Sequence, residues 1–299
     1  MLQRFDDRNK DIVVNINGDL VHRDKAGISP FDSAVQGGDG VWEGLRLYSG
    51  RIFRLREHLS RLRNSARALA FESIPSDEEI VSEIRRTLTA NEMTDGVHIR
   101  LTLTRGVKIT SGMDPRLNTV GPTLIVLAEH KPPVYGSSGV TLITSSYRRA
   151  PADCLDQKIH SCNLIPSILA KIEANAAGAD DALMLDTRGF VAETNATHVF
   201  VVIDGVICTS RTVACPEGIT RAVVLEICSR EGIPCEVRDI TLSEIHSAAE
   251  VFCTGTMGEI VPVVEVDGRS VGCGETGAVT ARISDLFSQL TATEGEHVV

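Results

Sequence analysis

The chain has 299 residues, of which 42% are hydrophobic and 23% charged, and its formal net charge is −10 at pH 7. Its length suffices for two domains, and the acidic balance argues against a nucleic-acid-binding protein, because neutralising phosphates requires clustered Lys and Arg. No run of about 18 apolar residues is present to span a bilayer, and the polar first ten residues are unlike a secretory signal. We therefore expect a cytoplasmic globular protein that contacts neither nucleic acid nor membrane.

The first half of the sequence alternates predicted strands with predicted helices. Asn17-Gly18 indicates a hairpin turn, and Ser76 with Glu79 forms a capping box that predicts the start of a helix. Apolar and polar residues alternate over 98–104, so one face of this strand is wholly polar. Such a face indicates either solvent or a site.

A second domain is predicted after residues 129–138, where adjacent prolines are followed by Gly and Ser. We expect a smaller N-terminal α/β domain at 1–128, a linker at 129–138 and a larger C-terminal domain at 139–299. Strands and helices mix in both, which is typical of an α+β or α/β protein.

Eight cysteines lie between Cys154 and Cys273. They form no CxxC pair and lack zinc-ligand spacing with a histidine, so we expect reduced, mostly buried thiols and no metal site. The sequence also lacks a GxGxxG after a strand, a P-loop, a GxSxG and an HExxH. Their absence argues against dinucleotide oxidoreductases, NTPases, common serine hydrolases and zincins.

Lysine is scarce, with six residues against 24 arginines. An enzyme that forms a Schiff base needs a partly desolvated lysine amine. Lys158 follows a polar stretch and precedes a mostly apolar helix, although the local pattern alone favours a solvated loop lysine. Lys171 lies on that helix, where a surface position is expected.

Three features are candidates for holding a phosphate. The segment Gly218–Thr220 begins a helix, whose free amides and dipole favour an anion. Thr256 follows a buried strand and a glycine, and the planar guanidinium of Arg54 is suited to clamping the same group. Each feature taken alone is better explained as a cap, a turn or a surface charge.

Glu193 ends the segment Phe190–Ala192 and is a candidate of a different kind. A carboxylate there is able to pair with a pyridinium nitrogen and keep the ring a good electron sink. An ordinary charge at a strand edge is the alternative interpretation.

Taken in chain order, these residues resemble the class IV (fold type IV) pyridoxal-phosphate aminotransferases. That family includes branched-chain-amino-acid aminotransferases, D-amino-acid aminotransferases and aminodeoxychorismate lyase. The similarity covers nearly the whole chain and is closest to the branched-chain group. The matching segments are Gly38–Arg46, Phe53–His58, Ile168–Ala174, Gly218–Arg221, Thr254–Thr256 and Glu259-Ile260.

The resemblance implies a two-domain fold type IV enzyme, a homodimer, with pyridoxal 5′-phosphate as its cofactor. Lys158 would hold the cofactor as a Schiff base and carry the proton, while Glu193 would pair with the ring nitrogen. The phosphate would be held by Arg54, Ile219, Thr220 and Thr256, and Asn163 would stand near the ring oxygen. Substrate binding would fall to Arg100, His98, Trp42 and Met257.

The sequence also departs from the family pattern. The spacing from Lys158 to Asn163 is longer than usual, and His198 stands where the family has an asparagine. Branched-chain enzymes usually have tyrosines lining the pocket. At the corresponding positions this chain has Gly37, His98 and Leu164. These changes affect the substrate assignment more than the reaction type.

The favoured activity is transfer of an amino group between a branched-chain or similar aliphatic L-amino acid and 2-oxoglutarate, with ping-pong kinetics. A D-amino-acid aminotransferase is the closest alternative, and aminodeoxychorismate lyase is the third. A vitamin-binding or scaffold protein without catalysis is a further alternative. The presence of both Lys158 and Glu193 argues against it.

Overall fold

The computed structural model describes residues 3–136 and 138–299, which fold into two compact units. The first unit contains residues 3–132, 159–163 and 291–299, and the second contains Pro133–Lys158 and Leu164–Leu290. We predicted two domains, each made of one continuous stretch of sequence. The structure differs, because two short segments of the second half, 159–163 and 291–299, belong to the first unit. Ser137 of the predicted linker lies outside the described residues, and the first two linker residues belong to a strand that ends at His130.

The secondary structure alternates along the chain much as the sequence pattern predicts. In chain order, the strands of the described residues are β1 (Val13–Ile16), β2 (Asp19–His22), β3 (Gly40–Tyr48), β4 (Arg51–Ile52), β5 (Val97–Thr104), β6 (Thr123–His130), β7 (Val140–Arg148), β8 (Asp181–Leu185), β9 (Val191–Thr194), β10 (His198–Ile203), β11 (Val206–Thr209), β12 (Cys235–Val237), β13 (Glu250–Gly255), β14 (Glu259–Val266), β15 (Arg269–Ser270) and β16 (Glu296–His297). The helices are α1 (Ser33–Gly37), α2 (Leu55–Ala68), α3 (Asp77–Ala90), α4 (Ile165–Ala176), α5 (Ile219–Glu231), α6 (Leu242–Ser247) and α7 (Ala278–Thr293).

An antiparallel sheet in the order β16-β4-β3-β5-β6-β1-β2 forms the first unit. Apolar residues that alternate along β3 and β5 point to one face of this sheet, where Leu45 and Ile99 are fully buried. Leu59 and Leu62 of α2 belong to the same core. The opposite face of β3 and β5 carries the polar residues of the alternating pattern.

A mixed sheet in the order β12-β11-β10-β13-β14-β7-β8-β9 forms the second unit, with β15 added beside β14. The pairs β14–β7, β7–β8 and β11–β12 are parallel, and the others are antiparallel. Strand β8 is buried along its whole length, which agrees with its apolar run at 182–185. Strand β9 is also buried throughout, although it contains Glu193 and Thr194. All eight cysteines are free thiols, and four of them are buried, fewer than the mostly buried set that we expected.

Local sequence signals placed the turns and helix starts correctly. Asn17 and Gly18 both have positive φ values, 52° and 90°, as a two-residue hairpin turn requires. The capping box of Ser76 and Glu79 is present, with the Glu79 amide donating to the Ser76 hydroxyl at 3.2 Å. No helix formed by the described residues is both long and apolar enough to cross a bilayer.

We expect Ser76→Ala to lower the free energy of unfolding by about 1 kcal/mol, because the Glu79 amide loses its acceptor at the first turn of α3. Urea denaturation measures the change. Ser60→Ala, at an exposed position of α2, is the matched control and should leave stability unchanged or slightly higher, since Ala is the better helix former. Equal losses in the two variants would contradict the capping role.

Candidate functional site

The start of α5 in the second unit is an uncapped helix N-terminus. Gly218 is its N-cap residue and offers no side chain to bond the amides of the first turn. Ile219 and Thr220, two of the predicted phosphate residues, form that first turn, and Thr220 is buried. Free amides and the positive end of the helix dipole make this end of α5 suited to an anion.

His198 on β10 packs directly behind this helix start. A Cβ atom at position 218 would lie 2.1 Å from the His198 ring, so only glycine leaves room for the imidazole. The backbone of Gly218 has a φ of −66°, which any residue can adopt. The glycine is therefore required by the space that His198 takes and not by backbone conformation.

Thr256 and Met257 lie in the turn that joins β13 to β14. The Met257 carbonyl accepts a hydrogen bond from the Val134 amide at 3.0 Å, which fixes this turn. Within the described residues, the buried hydroxyl of Thr254 on β13 has no hydrogen-bond partner. An unsatisfied buried hydroxyl is costly, and it marks a place where a polar group is able to bind.

Glu193 lies on β9 with only 4% of its surface exposed. Its carboxylate is 2.7 Å from the Arg149 guanidinium and 3.9 Å from Nδ1 of His198. Arg149 also donates to the Thr194 carbonyl at 3.1 Å, so its position is fixed from two sides. Glu193 is thus a buried carboxylate with a charged partner at hydrogen-bonding distance.

Glu193, His198 and the Cys215 thiol also lie close enough together to be considered as metal ligands, with ligand atoms within 4.8 Å of one another. Two observations argue against such a site. The Arg149 guanidinium already compensates the carboxylate charge, and a metal ion would be repelled by it. Burial, together with the negative charge of Glu193, raises the pKa of the Cys215 thiol, so the thiolate that binds metals is disfavoured.

Lys158 ends the first segment of the second unit and does not have the desolvated environment expected of a Schiff-base amine. Its side chain is 51% exposed, and its Nζ atom lies 3.3 Å from Glu217, which is itself 67% exposed. Glu217 immediately precedes Gly218, so the ammonium group lies beside the start of α5. Lys171, the other lysine of this unit, donates to the Asp180 carbonyl and pairs with Asp181 at 3.4 Å.

Three of the predicted substrate residues come together on the polar face of β3 and β5 in the first unit. The strand register places Trp42 opposite Thr102 and Gly44 opposite Arg100, so the side chains of Trp42, His98 and Arg100 share one face. The Arg100 guanidinium lies over the Trp42 ring, 3.5 Å from its centroid. This close cation–π contact fixes both side chains.

Burial shifts the ionisation of both basic residues on this face. It lowers the pKa of Arg100 to about 10, which leaves the guanidinium charged at neutral pH. Burial, with the nearby charges of Lys131 and Arg100, lowers the pKa of His98 to about 3. His98 is therefore a neutral hydrogen-bonding group there, and Arg100 carries the charge that attracts a carboxylate.

Residues 159–163 form a short antiparallel segment beside β3. The Trp42 amide donates to the His160 carbonyl at 3.0 Å, and the Cys162 amide donates to the Gly40 carbonyl at 2.8 Å. His160 is therefore opposite Trp42, and their rings stack with centroids 4.2 Å apart. Asn163, the predicted partner of the ring oxygen, donates to the Gly38 carbonyl at 3.2 Å.

Glu43 is the most deeply buried charged residue of this region and was missed by the sequence analysis. Its carboxylate accepts two hydrogen bonds from Arg61, at 2.7 and 2.8 Å, and lies 2.6 Å from Nδ1 of His58. His160 Nδ1 lies 3.4 Å away. Burial opposes ionisation of Glu43, but the Arg61 guanidinium holds the pKa of this carboxyl well below its ordinary value.

Arg54 begins α2 with a left-handed backbone, at a φ of 53°. Its guanidinium lies 3.1 Å from Glu57 and 3.7 Å from Glu294. A phosphate would compete with these carboxylates for the guanidinium. The phosphate role of Arg54 stays a prediction.

We expect Arg149→Gln to destabilise the protein by about 3–5 kcal/mol, because it leaves the buried Glu193 carboxylate without its counter-charge. Arg148→Gln, at the exposed neighbouring position, is the matched control and should cost less than about 1 kcal/mol. Chemical denaturation of both variants measures the difference. Similar losses would show that the ion pair does not carry the stability of this region.

Comparisons with known proteins identify the family of this chain. A sequence model of the family Amino-transferase class IV matches residues 40–266. The chain is 52% identical over 288 residues to branched-chain-amino-acid aminotransferase-like protein 2 of Arabidopsis thaliana, which covers 96% of this chain and 52% of the relative. The chain thus spans about half the length of the plant relatives that it matches.

Two relatives of similar length match almost end to end. A putative branched-chain-amino-acid aminotransferase of Methanocaldococcus jannaschii is 39% identical, over 94% of this chain and 97% of the relative. A D-alanine aminotransferase of Bacillus licheniformis is 32% identical, over 94% of this chain and 98% of the relative. Branched-chain and D-alanine aminotransferases are therefore both among the relatives of this chain.

The solved structure of the T.th. branched-chain amino acid aminotransferase, complexed with N-(5′-phosphopyridoxyl)-L-glutamate, superposes with a TM-score of 0.88. It is 35% identical, and the match covers 95% of both chains. The same enzyme has also been solved with pyridoxamine 5′-phosphate. The predicted fold type IV architecture is confirmed, and the chain belongs to the class IV aminotransferase family.

Proposed function

We propose that the chain is a pyridoxal-phosphate-dependent aminotransferase that moves an amino group between a branched-chain or similar aliphatic L-amino acid and 2-oxoglutarate. The observation that carries this proposal is the buried Glu193–Arg149 pair, in the same unit as the uncapped start of α5. A pyridoxal-phosphate-type cofactor needs two anchors. A carboxylate pairs with its ring nitrogen, and free amides bind its phosphate. The bound cofactor supplies an electron sink for the substrate carbon.

The phosphate anchors are proposed to be Ile219, Thr220 and Thr256, with Arg54 as the charged partner. The first-turn amides of α5 need no rearrangement to accept an anion, because Gly218 leaves them uncapped. Asn163 is proposed to orient the ring oxygen. The unsatisfied hydroxyl of Thr254 is a further polar group in the same unit that fits such a ligand.

Lys158 is the proposed point of covalent attachment. It is the better of the two lysines of the second unit, because Lys171 is held by Asp180 and Asp181. Attachment requires the Lys158 amine to leave Glu217 and lose its proton, since a protonated amine is not a nucleophile.

The proposed substrate groups are Arg100 for a carboxylate, Trp42 for apolar contact, neutral His98 for hydrogen bonding, and the Met257 amide. An indole held by a guanidinium gives a rigid apolar wall, which suits an aliphatic side chain. The names of the plant and archaeal relatives support branched-chain substrates. The resemblance further suggests a cytoplasmic homodimer, which we retain as part of the proposal.

A D-amino-acid aminotransferase is the second candidate. It is supported by the D-alanine aminotransferase of Bacillus licheniformis, which matches over nearly the whole chain. Absence of the pocket tyrosines, with His98 and Leu164 in their place, also separates this chain from the usual branched-chain pattern.

Covalent attachment is tested by reducing the cofactor-loaded protein with borohydride and mapping the modified peptide by mass spectrometry. We expect the label on Lys158 in the wild-type protein, none in Lys158→Ala, and unchanged labelling in the control Lys171→Ala. Cofactor that co-purifies but is never fixed to Lys158 would contradict this attachment site while leaving cofactor binding intact.

Substrate choice is tested by half-reactions of the loaded protein with single amino acids, followed by absorbance. We expect L-leucine to convert the bound cofactor to its amino form much faster than D-alanine, and 2-oxoglutarate to restore it. Conversion by D-alanine alone would favour the second candidate. No conversion by any amino acid tried would contradict aminotransferase activity.

A further inference from the structure

Two thiols of the second unit lie side by side and are not used by the roles proposed above. Cys228 lies in the last turn of α5 and is buried, whereas Cys235 begins β12 and is half-buried. A hydrogen bond joins their side chains. The two sulfur atoms are therefore in contact, although the residues lie on different elements of secondary structure.

The end of α5 brings these two positions together. Its C-cap residue, Gly232, has a φ of 64° and donates its amide to the Cys228 carbonyl. The Ile233 amide donates to the same carbonyl at 2.9 Å. A left-handed cap of this kind ends the helix and turns the chain away from its axis. The two thiols are thus brought together by the backbone before any bond forms between the sulfur atoms.

A third thiol of this region, Cys208, is turned away from the pair. Strand β12 runs parallel to β11, with Cys235 opposite Ile207. Cys208 is the next residue of β11 and is opposite Glu236. Because successive residues of a strand project to opposite faces of the sheet, Cys208 and Cys235 lie on different faces. The thiol within reach of Cys235 is therefore that of Cys228.

Hydrogen bonding and charge make the two thiols unequal. The hydrogen bond from Cys228 lowers the pKa of Cys235, and the Arg221 guanidinium acts in the same direction. Burial and the Glu236 carboxylate oppose this effect. The same hydrogen bond, together with burial, raises the pKa of Cys228. Cys235 is therefore the thiol that reacts as a thiolate, and Cys228 is the one that keeps its proton.

Arg221 is well suited to stabilise this thiolate. It is buried, and its Nη2 atom donates to the Ser210 carbonyl at 2.8 Å, which is a neutral acceptor. Within the described residues its Nε atom has no hydrogen-bond partner. Burial lowers the pKa of Arg221, but a guanidinium stays charged at neutral pH. A buried positive charge thus acts on the Cys235 sulfur.

We propose that Cys228 and Cys235 are a reversible redox pair, a modification site that hydrogen peroxide oxidises to an intramolecular disulfide. The Cys235 thiolate attacks one peroxide oxygen and breaks the O–O bond, which gives a sulfenic acid and hydroxide. The Cys228 sulfur then loses its proton and attacks the Cys235 sulfur, and the S–O bond breaks with release of a second hydroxide. The two thiol protons convert both hydroxides to water. Each sulfur loses one electron, and each peroxide oxygen gains one.

The pairing is tested on the full chain as purified, by adding hydrogen peroxide, blocking the remaining thiols and mapping crosslinked peptides by mass spectrometry. We expect a crosslink between Cys228 and Cys235 that dithiothreitol reverses. Cys273→Ser removes an exposed thiol outside the pair and is the matched control, which should leave this crosslink unchanged. A crosslink from Cys235 to Cys208, or oxidation of Cys235 that dithiothreitol does not reverse, would overturn the proposal.

The two chemical steps are separated by Cys228→Ser, because serine keeps a hydroxyl donor beside Cys235 but supplies no second thiol. We expect this variant to stop at a sulfenic acid on Cys235, with at least about tenfold more dimedone adduct than the wild-type protein. Equal adduct in the two proteins would show that Cys228 does not resolve the sulfenic acid. The wild-type crosslink map decides the pairing even if the variant loses its fold.

The order of attack is tested without any oxidant, by following alkylation of Cys235 with iodoacetamide as a function of pH. The rate should reach half its maximum below about pH 8.5, the midpoint of an unperturbed thiol, because the thiolate is stabilised. A midpoint at or above that of an unperturbed thiol would contradict the role of Cys235 as the attacking group. This measurement and the crosslink map depend on neither cofactor nor aminotransferase activity.

Discussion

The first unit depends on one buried carboxylate. Glu43 is fully enclosed by protein, and a charge in that position is tolerated only when it is paired and hydrogen-bonded on every side. Glu43 lies on β3, and its partners come from two other parts of the chain: Arg61 and His58 on α2, and His160 in the segment that returns from the second half of the sequence. The carboxylate thus joins the sheet, its covering helix and the 159–163 segment, and the orientation of His160 and Trp42 follows from it.

The second unit uses the same physical device. Glu193 lies on a buried strand and is compensated by Arg149 at 2.7 Å, with His198 as its neighbour. In both units a strand presents a buried carboxylate that an arginine pairs with and that a histidine approaches. An ionised group held in a low-dielectric setting exerts a stronger field than the same group in water, which suits it to orient a polar ring or to stabilise a cation.

Local and non-local signals explain what the sequence could and could not predict. The Asn17-Gly18 turn and the Ser76–Glu79 cap depend on neighbouring residues alone, so the sequence pattern was sufficient for them. Phosphate candidates at Gly218–Thr220 were predictable because a helix start is also a local feature. The alternation of 98–104 predicted the polar face correctly but left open whether it was solvent or a site.

Burial of individual polar residues depends on distant pairing, and here the sequence was insufficient. The local pattern favoured a solvated loop lysine at Lys158, and its side chain is indeed half exposed beside Glu217. The resemblance instead implied a Schiff-base amine, which needs partial desolvation. His160 was overlooked because its position opposite Trp42 arises from a contact 118 residues away along the chain. One feature of the sequence did point to this segment. The spacing from Lys158 to Asn163 is longer than is usual in the family, which indicated that the residues between them depart from the family structure.

The contact between Gly218 and His198 has an evolutionary consequence. Since no Cβ fits at position 218 while the imidazole is present, and the backbone there is open to any residue, the two positions cannot vary independently. A side chain enters the start of α5 only after a smaller residue has replaced His198. The two positions are therefore epistatic, and the order of change is constrained: a substitution at position 198 has to come before one at position 218, the N-cap residue of α5.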